Sequence, residues 1–393
     1  MLYTDELDYE LPPELIARYP SQPRDRSRLL VYHRGADSVD HRFFSDLPEL
    51  LNPGDLLIAN DTRVIPAKLS LFKATGGMVT GLFIAELLPG TWRVMLRTRG
   101  RATPGLQLQT LSAKTSEPLV MKLVERASEK GQWIVTVNDP RPAVEVLADI
   151  GEVPLPPYII QARELNAPST TFNQISECGS GSLEEIGADQ DSTVNLSVAA
   201  ANANIRDAES YQTIYAREAG ALAAPTAGLH FTPEVFARLA ERQINHAWVT
   251  LHVGLGTFLP VTTPIVDQHP MHLESYRIPC ATVQRIRQQR AAGGRMVLVG
   301  TTTVRTLETM ASSLVDLSVP AQDFSGATNL LIQPGYHFQL TDALITNFHL
   351  PRSTLLALVG ALTGLDRLKS IYRQAIQHRY RFYSFGDAMM ILP

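Results

Sequence analysis

The sequence predicts an α/β domain interrupted by a small all-β unit, and three observations predict it. Residues 67–137 form short alternating runs cut by Gly and Pro turns, with no sustained helical period. From Tyr211 onward, strand-length apolar runs alternate with helical periods, the pattern of an α/β layer structure. Between them, 164–209 is rich in Ser, Asn, Gly, Ala and acid, poor in large apolar residues and without period, which reads as a long solvated loop.

Taken in order, Pro12-Pro13 opens a helical turn over 14–18, 29–32 is a short strand, and Pro53-Gly54 sets up a buried strand at 56–59. The all-β unit, a barrel or a sandwich, has runs at 68–72, 78–87, 92–97, 106–108, 119–124 and 133–137. Helical periods follow at 143–150, 234–242 and 283–292, with strands at 247–253 and 296–299. Residues 302–314 read as one helix with Val304, Leu307, Ala311 and Leu314 on its apolar face, and 354–362 and 368–378 as two more.

Of the 393 residues, 45% are hydrophobic and 19% charged, as in globular proteins. The first ten residues carry four acids and no base, and the longest apolar stretch, 355–362, is too short to span a bilayer. Cys178 and Cys280 cannot build a disulfide framework or a metal site. A cytoplasmic protein without membrane contact is expected, with a monomer as the favoured state. The net charge of −4 argues against a nucleic-acid partner until its distribution is read: 164–209 carries −7, which leaves the remainder at +3. Phosphate contact follows the local field, so RNA is admissible.

Five of the ten histidines, His230, His252, His269, His272 and His349, sit beside Gly, Pro or Thr turns, where α/β enzymes gather their sites. His269, His272 and nearby Glu274 are compatible with a metal trio, although Pro270 removes the helical spacing of a zinc site. Acid–base, substrate-binding and purely structural roles stay open beside it. Gly300-Thr301-Thr302, at a strand-to-helix switch, suits an anion or a plain cap. Arg305 and Glu308, three apart, suit a surface pair. Gly254-Leu255-Gly256 is too short a glycine pattern to specify a dinucleotide. Arg97, Arg99 and Arg101 alternate, so on a strand they share a face, with Arg93 upstream. Arg379 and Arg381 interleave with Tyr380, Phe382 and Tyr383. Both groups suit phosphate and base-stacking contacts with a single-stranded loop, or a solvated edge. Asn60-Asp61-Thr62-Arg63 reads as an Asx turn or a site loop.

These strings, in order, resemble the S-adenosylmethionine:tRNA ribosyltransferase-isomerase family of queuosine biosynthesis. The resemblance runs over nearly the whole chain. It includes Asp8-Tyr9-Glu10-Leu11-Pro12-Pro13, Asn60-Asp61-Thr62-Arg63-Val64-Ile65-Pro66-Ala67, Tyr211-Gln212-Thr213, Ala223-Ala224-Pro225-Thr226-Ala227-Gly228-Leu229-His230-Phe231-Thr232, Leu251-His252-Val253-Gly254, Val304-Arg305-Thr306-Leu307-Glu308, Pro334-Gly335-Tyr336 and Thr346-Asn347-Phe348-His349-Leu350-Pro351. It implies an α/β main domain (1–66 and 150–393) with an inserted small β-barrel domain (67–149). It also implies the reaction. The ribosyl part of S-adenosylmethionine, a cosubstrate, is transferred and isomerised onto the aminomethyl group of a 7-deazaguanine at the tRNA wobble position, giving epoxyqueuosine, adenine and methionine, with no metal or other cofactor. The catalytic pool it implies is His230, His252, His269, His272, Glu274 and His349. The implied substrate binders are Asp61, Thr62, Arg63, Tyr211, Gln212, Gly254, Thr301, Thr302, Arg305, Glu308, Tyr336 and Asn347, with Arg97, Arg99, Arg101, Arg379 and Arg381 toward tRNA. The chain departs from the family at Ser210, where an arginine is usual, and at Gly76-Gly77-Met78-Val79-Thr80-Gly81, which lacks an acid. A metal-dependent hydrolase and a non-catalytic tRNA-binding relative are the rival expectations.

Overall fold

The computed structural model describes residues 1–110, 118–164, 206–254, 256 and 261–393. The main domain is built on β1 (Arg28–His33), β2 (Ser38–Phe43), β3 (Leu56–Asn60) and the short β4 (Thr62–Val64). The chain then enters the all-β unit: β5 (Lys68–Lys73), β6 (Met78–Leu88), β7 (Thr91–Thr98), β8 (Gln107–Thr110), β9 (Leu119–Arg126) and β10 (Gln132–Val137). It returns through β11 (Glu218–Ala221), β12 (Asn245–Leu251), β13 (Glu274–Ile278), β14 (Met296–Val299), β15 (Phe324–Thr328), β16 (Ala343–Asn347) and β17 (Ala388–Leu392).

Nine strands make one sheet in the order β15-β13-β12-β3-β14-β16-β17-β1-β2. At its centre β12, β3, β14 and β16 are parallel, and β17 runs antiparallel to β16. Side chains alternate across the sheet with the two-residue period of extended chain. Leu56, Ile58, Met296, Leu298 and Leu344 enter one core, shared with Val283, Val304, Leu307 and Leu358 of the covering helices. Leu57, Ala59, Val297, Val299 and Ile345 enter the other, beneath Phe44, Phe231 and the helix Pro233–Glu241. Central strands buried on both faces are continuous apolar runs, which is why β14 has four buried residues of four.

The all-β unit closes into a six-stranded barrel, β10-β7-β6-β5-β8-β9, which decides between barrel and sandwich. Leu69, Leu71, Phe83, Trp92, Met121 and Trp133 fill it, and Val146 and Leu147 of the helix Ala143–Ile150 join that core. Gly81 is buried inside: a Cβ there would stand 3.0 Å from Leu71 Cδ1 and 3.3 Å from Leu69 Cβ, so a larger residue would crowd the barrel wall. The two connections to the main domain run side by side at Lys68 and Glu152, bonded through backbone and side chains.

Three expectations are corrected. The helix expected over 302–314 is two, Thr301–Thr309 and Ala311–Val315, broken at Met310 (φ −109°, ψ 8°). Thr303, Thr306 and Thr309 turn their hydroxyls onto carbonyls four residues back, a habit that bends helices. Only Arg93 and Arg97 lie on β7, while Arg99 and Arg101 follow its end, so the alternating arginines do not share a strand face. Tyr380, Phe382 and Tyr383 are buried against Phe348 or Tyr158 and offer no stacking platform. The acidic 164–209 segment lies outside the described residues except at its ends, where Arg163 grips Asp207 with two bonds of 2.8 Å. Cys178 falls within that segment, and Leu255 also lies outside the described residues.

Candidate active site

Four parallel strands ending side by side put four chain turns at one sheet edge. In the order β12-β3-β14-β16, the chain passes from β3 to one neighbour and then across to the other. A crevice opens at the carboxyl ends where strand order reverses so. The residues just past those ends are His252, Asp61-Thr62, Gly300-Thr301-Thr302 and His349.

Asn60 ties these turns together. It is fully buried, and its Oδ1 accepts from Thr62 N (3.1 Å) and Leu251 N (3.0 Å). Its Nδ2 donates to Leu251 O (3.0 Å) and Thr302 Oγ1 (3.2 Å). The bond to Thr62 N is the Asx turn legible in the sequence; the remaining three lock β3, β12 and the start of the Thr301–Thr309 helix in register. Asp61, also buried, accepts from Thr250 Oγ1 (2.7 Å) and the Arg217 guanidinium (2.7 and 3.1 Å), so it holds the loop before β11.

Thr62 Oγ1 lies 2.8 Å from Nδ1 of His252, which leaves Nε2 as the ring nitrogen available to a substrate. His252 is half-buried, and desolvation pulls its pKa below the ordinary 6.5 despite opposing pulls from Glu218 and Asp61. It lines a cleft of about 730 Å³ between main domain and barrel, with Gly254, Met271, His272 and Glu274 on one side and Ile84, Arg93, Met95, Glu129 and Gln132 on the other. Gly220 sits against the imidazole: a Cβ there would be 2.8 Å from His252 Cε1 and 2.9 Å from Nδ1. Gly220→Ala is therefore expected to push the ring off its Thr62 anchor. The expected loss is on the order of 10²-fold in kcat, together with a lower melting temperature because Gly220 holds a backbone conformation (φ +154°) that a side chain strains, checked by kinetics beside calorimetry.

The other turn-borne histidines divide. His230 and His349 are buried, in line with the structural role left open for them. Asn347 Nδ2 donates to Tyr383 O (3.2 Å) and to His230 Nε2 (3.1 Å), so His230 Nδ1 carries the proton and donates to Ser27 Oγ (2.7 Å). Phe44 stacks on the ring at 5.1 Å. His349 Nε2 lies 2.8 Å from Thr346 Oγ1. Burial pushes His230 down to about 4 and His349 down to about 3, so both are neutral. The unfolded chain, with imidazoles near 6.5, takes up protons first as pH falls. Their contribution is complete above that value and drains as pH falls through the folded values. Thermal scans are expected to show a melting temperature that declines steadily below about pH 6.5, and His349→Gln is expected to flatten the slope.

Thr301, Thr302, Asn347, His349 and Gly300 line a smaller notch of about 40 Å³ at the same edge, and the buried Oδ1 of Asn347 has no partner there. Glu274, buried at the start of β13, accepts from Gly254 N (3.0 Å) and pairs with Arg305. Arg305 and Glu308 are thus not a surface pair. Glu308 is buried and accepts from Gln339 N, Leu340 N, Thr341 Oγ1 and Tyr336 OH, so Glu308 and Tyr336 brace the 336–341 loop. Tyr211 packs on Phe385 in a small core. Gln212 clamps Val64 through both backbone groups, and Arg63 is exposed on β4. Arg97, Arg99, Arg101 and Arg379 are exposed, whereas Arg381 is bound to Asp387 and Ser21. Among the described residues, no three His, Cys, Asp or Glu side chains converge as a metal-binding group, and no helix is long and apolar enough to cross a membrane.

Asn60 as the tie, and Gly220, Arg93 and Glu129 as cleft walls, were missed. Asn60 carried a signal in its Asx pattern; the others acquire meaning only when the barrel meets the sheet.

An α/β sheet with a half-buried histidine at its carboxyl edge, facing an inserted barrel across a deep cleft, defines an enzyme. The sequence model of the family described as "Queuosine biosynthesis protein" matches residues 4–391, and the chain belongs to that family. A relative from Synechococcus elongatus, named S-adenosylmethionine:tRNA ribosyltransferase-isomerase, is 44% identical over 100% of this chain and 96% of its own. One of the same name from Thermotoga maritima is 42% identical over 98% and 99%. The crystal structure of S-adenosylmethionine tRNA ribosyltransferase from Thermotoga maritima matches with a TM-score of 0.50 at 34% identity, covering 98% of this chain and 100% of that one.

Proposed function

We propose that the chain is an S-adenosylmethionine:tRNA ribosyltransferase-isomerase acting in the cytoplasm as a monomer, without metal or other cofactor. It transfers and isomerises the ribosyl moiety of S-adenosylmethionine onto the aminomethyl group of 7-aminomethyl-7-deazaguanine in tRNA. The aminomethyl nitrogen bonds to C4′, C1′ joins C5′ to close a five-carbon ring, and the former ring oxygen bridges C1′ and C5′ as the epoxide. The C4′–oxygen, C5′–sulfur and glycosidic bonds break; C5′ and the amine each give up a proton, adenine takes one as it leaves, and methionine leaves as a neutral thioether. The observation that carries the reading is the full-length similarity to proteins of that name, joined to a cleft whose histidine suits its proton chemistry.

The sulfonium acidifies the adjacent C5′–H, so the reaction needs a base beside it that is neutral at working pH. His252 meets that need: it lines the cleft, Nδ1 is anchored, and its lowered pKa keeps it unprotonated near neutrality. His272, exposed at the same cleft, suits proton delivery to adenine. Arg97, Arg99, Arg101 and Arg379 are exposed cations for tRNA phosphates.

Adenine release from S-adenosylmethionine, measured with tRNA bearing the aminomethyl deazaguanine, tests this reading. Multiple turnovers are expected, with an acid limb below pH 6.5 as His252 protonates. No adenine with tRNA still bound would favour a non-catalytic tRNA-binding relative.

A further inference from the structure

Behind the cleft lies a chamber of about 20 Å³ lined by Gly256, His269, Met271, His272, Glu274, Arg305, Thr354 and Leu355, room for about one small polar group. It shares Gly256, Met271, His272 and Glu274 with the cleft, so it is a side recess of the same space. Arg305 is 95% buried, its residual exposure being 5%. Its Nε donates to Leu330 O (3.0 Å) and Nη1 to Glu274, while Nη2 is buried without a partner. An uncommitted buried guanidinium N–H pair is costly unless something accepts from it. Thr354 and Leu355, which also line the recess, are the first residues of the ten-residue helix Thr354–Thr363, whose N-terminus favours negative charge. His269 Nδ1 is a second buried atom without a partner. The formal charges of Arg305 and Glu274 cancel, so the recess suits a net-neutral zwitterion better than a bare anion.

We infer that this recess seats the carboxylate of an α-amino-acid headgroup, on Arg305 Nη2 and the Thr354 helix start, with the ammonium at its mouth toward Glu274, where the recess opens into the cleft. Resting on the functional reading above, the ligand is the methionyl end of S-adenosylmethionine. Its sulfonium and ribose then extend into the cleft that His252 lines.

The test compares S-adenosylmethionine with its decarboxylated analogue, full chain and modified tRNA present, reading adenine release. The analogue is expected to raise KM on the order of 10- to 100-fold, the loss expected when charge-assisted hydrogen bonds to a buried guanidinium are not made. Arg305→Lys, confirmed folded by its melting curve, is expected to raise KM for S-adenosylmethionine and to narrow the ratio between the two compounds. Equal KM values for the wild-type chain would overturn the assignment without requiring any variant to fold. A ratio unchanged in Arg305→Lys would overturn the role of Arg305. Absence of adenine release from S-adenosylmethionine itself would instead overturn the functional reading.

Discussion

Replacing His252 with glutamine is expected to lower kcat on the order of 10²- to 10⁴-fold, the range of a lost general base. KM for S-adenosylmethionine and the melting temperature should change little. The geometry explains why the loss falls on chemistry. The imidazole is half-buried and, among the described residues, bonds only Thr62 Oγ1 and belongs to no core cluster. Thr62→Val keeps the shape and removes the anchor, so it should reproduce part of the loss. In the wild type, activity is retained above pH 6.5 and falls as His252 protonates below it; in the glutamine variant that limb should vanish from the residual rate. Steady-state kinetics over pH separates these outcomes.

Glu308→Ala should act on stability instead. Its carboxylate is buried and accepts two backbone N–H groups at 3.0 Å, the Thr341 hydroxyl at 2.7 Å and the Tyr336 phenol at 3.3 Å. Truncation strands the buried Leu340 N–H and Thr341 hydroxyl away from water and frees the Gln339 and Tyr336 donors, at a cost of about 3 kcal/mol. Calorimetry should show a melting temperature lowered by several degrees or more, with KM for S-adenosylmethionine in the folded fraction within about twofold of wild type. A variant that melts normally but has lost its affinity would return Glu308 to the substrate site.

The barrel was legible because alternating apolar residues between Gly and Pro turns are a local signal, and each of the six expected runs overlaps one of its strands, five of them falling wholly within it. β16 and β17 were not. They are buried on both faces, so Ala343–Asn347 and Ala388–Leu392 carry no alternation. The carboxyl-edge turns were legible as Gly, Thr and His strings, but the fate of each side chain was not. His230 is structural because Ser27, Phe44 and Asn347 reach it from distant parts of the chain. Arg305 joins Glu274, 31 residues away, and not Glu308 on its own helix. Local spacing identifies a turn; partners contributed by tertiary packing decide whether its histidine is a brace or a base.

The proton that His252 is assigned can be followed by label. S-adenosylmethionine carrying deuterium at both C5′ positions is given to the full chain with tRNA bearing the aminomethyl deazaguanine, and the modified nucleoside is analysed by mass. Wild-type chain should yield product that has lost deuterium to solvent, and His252→Gln should yield almost no product. A His252→Gln variant that turns over at the wild-type rate would contradict it.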